Sequence, residues 1–297
     1  MKKLFKNKKL WIALGLLITL TACTNVIDPE TKLIMPDKII HLDTTIGDIL
    51  ANESWFSAFF VYPISQAINF INQYVGVVMS IVIVTILIKL LTLSFTIKST
   101  VASQKMQIIN PELKAIQDKY AGKTDNQSKM KMSQEMQALY SKHNINPFGS
   151  IVVMFIQFPI IIAMYQAVQR AAAVVNGSVL GTSLQTTPMD AFFQGVYLFV
   201  VIYVLMGVFQ FISMKLPMFL QKKFAPVKEK KHVTHDDSKK SAAPNMEMMM
   251  YVSLVMIMGI AISWPTAMSL YWLVTSLAQV AQTVFIQFKY ISPSVGK

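Results

Sequence analysis

Five apolar stretches of about the length of a membrane helix recur along the chain, with polar segments between them. They cover residues 75–97, 149–168, 193–214, 248–263 and 266–288. Crossing the hydrocarbon core of a bilayer takes about 20 apolar residues in a helix. The last two stretches meet at the sequence SWPTA, where Pro265 predicts a tight turn. The pattern therefore predicts an all-α polytopic membrane protein with five transmembrane helices.

The polar segment 98–148 has a helical pattern of its own. Apolar residues recur at helical spacing on both sides of the turn sequence AGKTDNQ. They are Ile109, Leu113, Ile116 and Tyr120 before the turn, and Met132, Met136, Leu139 and Tyr140 after it. We predict a helical hairpin whose two apolar faces pack on each other, with a second role left open for its tip.

The first 60 residues predict a targeting signal followed by an exported segment. Five lysines precede a short apolar core, which ends in the sequence Leu20-Thr21-Ala22-Cys23. After it comes a polar segment, 24–54, and then the sequence WFSAFFVYPISQAINFINQY, whose aromatic residues suit a helix at the membrane interface. The alternative for the first 22 residues is an ordinary signal peptide or a signal anchor, with a cysteine there by chance.

The positions of the lysines predict the orientation. The chain of 297 residues is 54% hydrophobic and 14% charged and has a net charge of +12. Eight lysines lie in 98–148 and eight in 215–246, whereas 171–192 contains none. Because positive loops stay in the cytoplasm, these two loops and the C-terminus are expected inside and the N-terminus outside. This orientation agrees with an exported N-terminus.

The predicted organisation follows from these signals. It comprises a signal peptide at 1–22, an extracytoplasmic arm with an interfacial helix at 23–60, a first span at 61–97, a cytoplasmic helical hairpin at 98–148, spans two to five with a cytoplasmic loop 215–246 at 149–290, and a short cytoplasmic tail at 291–297. The end of the signal peptide resembles a lipobox, and this resemblance implies a lipoprotein signal peptide.

Three spans contain polar residues at membrane depth. Lys89 lies in the first span, on one helix face with Thr85, Thr92 and Thr96. A charge there costs about 2.5–3.5 kcal/mol on insertion scales, so a functional role needs to be considered. The alternative is that Lys89 extends to the nearby membrane surface. Trp272 alone would suit an interface anchor or a packing residue, and the hydroxyl residues suit helix contacts.

Several motifs in order resemble the YidC-type membrane protein insertases, the bacterial branch of the Oxa/Alb family. They are TILIKLL, MQIINPELKAIQDKYAG, MSQEMQALYSKHNINPF, IQFPIIIAMYQAV and SLYWLVTSLAQVAQTVFIQ. The family usually has arginine at the position of Lys89. The end of the signal resembles a lipobox, which implies that Cys23 carries an S-diacylglycerol and an N-acyl group. Together with five spans, this resembles the form found in single-membrane bacteria.

The resemblance implies a hydrophilic groove open to the cytoplasm and to lipid. By the same resemblance, Thr85, Lys89, Gln157 and Trp272 line the groove, and Lys89 provides its charge. The expected function is to assist insertion and folding of integral membrane proteins at the bacterial cell membrane, alone or with the Sec translocon. The expected partners are nascent membrane proteins and membrane lipids, with the Sec translocon and the ribosome as further candidates and no DNA.

Other function classes lack the residues that they need. The predicted spans contain no Asp, Glu or His well inside them, as an ion-coupled transporter or an intramembrane protease would require. A single cysteine excludes an internal disulfide, and no phosphate-binding glycine loop is present. We therefore predict no enzyme activity, no catalytic residues, no metal site and no cofactor. An ion or small-solute channel or transporter stays open as the alternative, because Lys89 could line an anion pathway.

Overall fold

The computed structural model describes residues 26, 28, 34–143, 149–224 and 246–291, and these residues are mostly helical. The predicted signal peptide, Cys23 and most of the predicted loop 215–246 lie outside the described residues.

The described chain forms eleven α-helices and one short β-hairpin. The helices are α1 (Ile46–Asn52), α2 (Tyr62–Val75), α3 (Val77–Ile108), α4 (Asn110–Lys119), α5 (Asn126–Lys142), α6 (Gly149–Arg170), α7 (Ala172–Val175), α8 (Pro188–Phe193), α9 (Tyr197–Phe224), α10 (Met246–Ala261) and α11 (Thr266–Ile286). Strands β1 (Ser178–Val179) and β2 (Thr182–Ser183) pair antiparallel. A π-helical turn, Ser57–Val61, leads directly into α2.

Two helices are longer than the apolar pattern predicts. Helix α3 continues from the first apolar stretch to Ile108, and the next helix begins at Asn110 with Pro111 in its first turn. Proline is favoured there because its missing N–H would have no partner in the helix anyway. Helix α9 continues to Phe224, beyond residue 215, where the sequence predicts that the cytoplasmic loop begins. Lys215 stays in the helix with its ammonium 4.8 Å from the ring centre of Tyr251.

Among the described residues, two helices are long and apolar enough to cross a bilayer by length and composition. They are Tyr197–Leu220 and Thr266–Lys289, whereas Val77–Leu93 and Met250–Ala261 are shorter apolar helices. The remaining stretch, 149–168, lies in α6. Five membrane crossings remain a prediction.

Residues 34–91, 154–208 and 257–276 form one compact unit, the first unit. Its core is a single apolar cluster with contributions from α2, α3, α6 and α11, among them Ile68, Ile81, Met164 and Met268. Ile40, Ile49 and Phe56 join the same cluster from the segment before α2. We call residues 34–53 the arm. The arm is thus packed into the core of the first unit.

Residues 92–143, 149–153, 209–224, 246–256 and 277–291 form the second unit. Helices α4 and α5 pack through a small apolar cluster of Ile109, Leu113 and Leu139. Lys119 Nζ donates to Glu135 Oε1 at 2.6 Å, and the hydroxyl of Tyr120 donates to the same oxygen at 2.8 Å. The predicted contact between the apolar faces of these two helices is therefore present.

Candidate substrate groove

Lys89 and Thr85 lie one turn apart on α3, within its apolar part. The side chain of Lys89 is half-buried, and neighbouring Ile88 packs against the core of the first unit. Thr85 has no exposed surface, and its hydroxyl donates to the carbonyl oxygen of Ile81 at 2.7 Å. That bond satisfies the hydroxyl within its own helix, so Thr85 is buried beneath the helix surface that carries Lys89.

Gln157 connects α6 to α11. Its side-chain amide lies 3.5 Å from the hydroxyl of Tyr271, the residue before Trp272. Tyr271 is itself buried in the core cluster. Two of the four predicted groove residues, Gln157 and Trp272, are therefore on helices that this hydrogen bond joins.

Trp272 belongs to a stack of three aromatic rings. Its ring is parallel to that of Trp264 within 9°, with ring centres 5.4 Å apart. Trp264 in turn lies 4.4 Å from the ring centre of Tyr165 on α6. Each aromatic pair adds about 0.5–1.5 kcal/mol beyond the area that it buries. The stack favours a packing role for Trp272, which the sequence left as an alternative, and the half-buried ring keeps some surface for a groove.

A polar contact in the second unit was missed at the sequence level. The side-chain amide of Gln282 on α11 lies 3.3 Å from the hydroxyl oxygens of both Thr96 and Thr100 on α3. The sequence analysis placed Thr96 on the helix face of Lys89 and did not identify Gln282 as its partner. Gln282 lies in the last turns of α11, which ends at Ile286. Helical periodicity alone does not show whether Gln282, Gln279 or Thr283 contacts α3.

Arg170 and Glu53 form a buried ion pair that the sequence analysis also missed. Nη2 of Arg170 donates to Oε1 of Glu53, with 1% and 4% of the two side chains exposed. Nε of Arg170 donates to the carbonyl oxygen of Lys38 at 2.8 Å. The sequence contained one indication of a special role for this residue, because Arg170 is the only arginine among 27 basic residues.

A cavity in the described residues lies elsewhere. It has a volume of about 620 Å³ and is lined by the arm, the end of α2 and the residues around α7, including His41, Asn69, Asn72 and Asn176. Thr85, Lys89, Gln157 and Trp272 do not line it. The described residues contain no group of three or more His, Cys, Asp or Glu side chains suited to a metal ion.

The arrangement around Lys89 provides one cation in an apolar helix beside a packed core. A cation among apolar residues attracts carboxylates and other anions.

Comparison with known proteins shows the family of the chain. A family profile described as "60Kd inner membrane protein" matches residues 69–292. The chain is 32% identical over 235 residues to the membrane protein insertase MisCA of Bacillus subtilis, covering 78% of this chain and 79% of that protein. It is 29% identical over 285 residues to membrane protein insertase YidC 1 of Halalkalibacterium halodurans, covering 95% and 90%.

A third relative, membrane protein insertase YidC 1 of Streptococcus pyogenes serotype M6, is 32% identical over 248 residues, covering 83% of this chain and 80% of its own. The profile match includes α3, α6 and α11, which carry the four predicted groove residues. The chain belongs to the 60Kd inner membrane protein family, the YidC-type family that its motifs predict.

Proposed function

We propose that this protein is an insertase that helps other membrane proteins to enter and fold in the bacterial cell membrane. The observation that carries the proposal is Lys89, a half-buried cation in the otherwise apolar helix segment Val77–Leu93. The relatives named as membrane protein insertases support it, since they match most of the chain. The ring pair of Trp264 with Trp272 and the hydrogen bond from Gln157 to Tyr271 support ordered packing around two further predicted groove residues.

The proposed mechanism is thermodynamic. A substrate segment with an acidic end must cross hydrocarbon, where a carboxylate is poorly solvated. Lys89 attracts that end and shortens the distance over which it is unsolvated. The apolar part of the substrate then enters lipid, and it gains about 25 cal/mol for each Å² of apolar surface removed from water. The step needs no nucleotide.

The proposed topology has five spans in α3, α6, α9, α10 and α11. The helix pair α4–α5 and residues 215–246 are cytoplasmic, in keeping with their lysines. The N-terminus is outside, and Cys23 carries the lipid. Thr85, Gln157 and Trp272 form the groove around Lys89, with Thr85 acting from beneath the surface. Nascent membrane proteins are the substrates, and the Sec translocon and the ribosome are candidate partners.

The test is reconstitution of the purified protein in liposomes with a short single-span substrate synthesised in vitro. We expect insertion without Sec components, measured by protection of the substrate from added protease. The alternative, an ion or small-solute channel, predicts conductance in the same liposomes without any substrate. Conductance together with no insertion would replace the proposed function by that alternative.

Lipidation is tested separately by mass spectrometry of the mature N-terminus. We expect a diacylglyceryl and an acyl group on Cys23 in the wild-type protein, and neither modification nor cleavage in Cys23→Ser. An unmodified Cys23 would contradict this part of the proposal.

A further inference from the structure

The buried ion pair of Arg170 and Glu53 connects two parts of the chain that are far apart in sequence. Arg170 is the last residue of α6, and Glu53 follows α1 at the end of the arm. Arg170 bonds both Glu53 and the carbonyl oxygen of Lys38, so one guanidinium holds the arm at two points that are 15 residues apart. The planar fork of arginine allows this, whereas the ammonium of lysine offers donors from a single point.

Backbone hydrogen bonds continue the same connection. The amide of Ile40 donates to the carbonyl oxygen of Arg170 at 2.7 Å, and the amide of Ala172 donates to the carbonyl oxygen of Ile40 at 3.0 Å. Ile40 and Ala171 thereby form a parallel bridge, and both are fully buried. The arm is thus held to the end of α6 by main-chain bonds on one side of the guanidinium and by the ion pair on the other.

Helix α2 binds the arm through side chains. The side-chain Nδ2 of Asn69 donates to the carbonyl oxygen of Ile40 at 2.7 Å, and its Oδ1 accepts from the backbone N–H of Ala173 at 2.9 Å. The side-chain amide of Gln66 and the hydroxyl of Tyr62 each donate to the carbonyl oxygen of Thr44 at 3.0 Å. Because these carbonyls are satisfied by specific side chains, the arm has one position along the N-terminal part of α2 and across the end of α6.

The ion pair is not fully satisfied in itself. Nη1 of Arg170 and Oε2 of Glu53 are buried and have no hydrogen-bond partner among the described residues. A buried pair with unsatisfied atoms contributes little net stability compared with apolar residues of the same volume, although removing one member is costly. Such a pair is better explained by the position that it fixes than by the stability that it adds.

We infer that Arg170, Glu53 and the carbonyl of Lys38 form a latch that fastens the arm as a lid over the N-terminal part of α2 and the end of α6. The inference rests on the proposed function, since the lid would keep that end of the bundle closed while the groove beside Lys89 receives substrate. Arg170 and Glu53 are positioning residues in this scheme and do not contact the substrate.

The test uses Ser65 as a reporter of the lid. Ser65 is fully buried on α2, one turn from Asn69 and on the same face as Tyr62 and Asn69, which bind the arm. Ser65→Cys, in a Cys23→Ser background, gives the protein a single buried thiol of nearly the same shape. The rate at which a water-soluble maleimide modifies this thiol is measured in purified protein in detergent, so the result does not depend on orientation or on substrate insertion.

We expect Arg170→Gln and Glu53→Gln each to speed modification by at least about tenfold, because either one leaves a buried group unpaired and favours local opening. Arg170→Lys should restore part of the protection, since its ammonium reaches only one of the two acceptors. The matched control is Asp37→Asn, which removes the exposed ion pair of Asp37 with Lys38 in the same arm and should leave the rate unchanged.

Modification at the wild-type rate in both Gln variants would overturn the latch. If neither variant can be purified, hydrogen exchange in the wild-type protein decides, because a fastened lid predicts strong protection of the amides of Ile40, Ala172 and Ala173, and rapid exchange there would overturn it. In liposomes, insertion should fall severalfold in Arg170→Gln. A wild-type protein that is modified slowly but inserts nothing would contradict the proposed function and leave the latch supported.

Discussion

The two units each contain an ion pair between a basic residue and a glutamate, and the two pairs have opposite surroundings. In the first unit, Arg170 and Glu53 are 1% and 4% exposed. In the second unit, Lys119 and Glu135 are 58% and 37% exposed, and they connect two helices with only three buried apolar residues between them. The same chemistry therefore operates in two different dielectric environments.

The difference in exposure determines how much each ion pair contributes to the structure of its unit. In an exposed pair, each charged group exchanges hydrogen bonds with water for hydrogen bonds with its partner, so the pair contributes little to folding stability. In the first unit, the charges have lost water, and their geometry has to be maintained by surrounding bonds from Lys38, Ile40 and Asn69. We therefore expect the arm region to have one rigid arrangement, and the helix pair α4–α5 to open more readily.

The largest expected effect is on the buried pair. Arg170→Met leaves the carboxylate of Glu53 buried without its cation and should lower the free energy of unfolding by about 3–5 kcal/mol. Glu135→Gln, which breaks the exposed pair, should leave the unfolding midpoint almost unchanged. The measurement is thermal unfolding of each purified variant in detergent.

A second variant separates charge from packing at the same place. Arg170→Met combined with Glu53→Leu removes both charges and should recover most of the lost stability, because no unpaired charge stays buried. If the single Arg170→Met variant unfolded at the wild-type temperature, the contrast between the two pairs would disappear.

Close packing of α9 against α10 in the first unit gives the next effect. A Cβ atom at Gly207 would lie 2.7 Å from Sδ and Cε of Met258, and the hydroxyl of Tyr203 donates to the carbonyl of Met258 at 2.9 Å. Gly207→Leu should therefore destabilise by about 1–3 kcal/mol. Gly207→Ala is the matched control and should be mild, because the flexible end of Met258 can move. Equal unfolding midpoints for Leu and Ala would contradict the packing seen here.

Much of the fold follows from the sequence, and the particular residues explain why. Apolar runs predict helices well, since every backbone polar group must be satisfied within a membrane segment. The helix ends were less predictable, because α3 and α9 continue beyond the apolar stretches into lysine-containing segments that are also compatible with helix. Periodicity found the apolar faces of α4 and α5, which are exposed helices with one buried side.

The candidate site could be predicted only in part. The sequence indicates which polar residues are at membrane depth, and it selected Lys89, Thr85, Gln157 and Trp272. It does not indicate which of them meet, because contacts such as Gln157 with Tyr271 or Gln282 with Thr96 join residues more than 100 positions apart. The partnership of Arg170 with Glu53 was hidden for the same reason, across 117 positions.

In the second unit, the polar contact between α3 and α11 predicts a smaller effect. Gln282→Leu removes two hydrogen bonds to Thr96 and Thr100 and should cost about 1 kcal/mol, as expected for hydrogen bonds between helices in membranes. Gln279→Leu, one turn earlier on the same helix, serves as the comparison. If both variants unfolded alike, Gln282 would have no special role in this unit.

The smallest effect is a dependence on pH in the helix pair α4–α5. Hydrogen bonds from Lys119 and then Tyr120 lower the pKa of Glu135 below its ordinary value of 4.5. Because the folded pKa is the lower one, the stabilisation is present above pH 4.5 and is lost as the pH falls through the folded pKa. Hydrogen exchange of α4 and α5, corrected for intrinsic rates, should therefore quicken below that pH. In Glu135→Gln, this acid-dependent part should be absent, and an unchanged acid response would contradict the assignment.

The central claim is that Lys89 acts on substrates. The direct measurement is insertion into liposomes of a graded set of single-span substrates, with acidic or uncharged ends, by the wild type and by three Lys89 variants at equal membrane abundance. Lys89→Arg should insert all of them, Lys89→Ala should fail mainly with acidic ends, and Lys89→Glu should be the poorest because it repels those ends. If Lys89→Ala and the wild type insert every substrate equally well, Lys89 only extends to the membrane surface and the account is wrong.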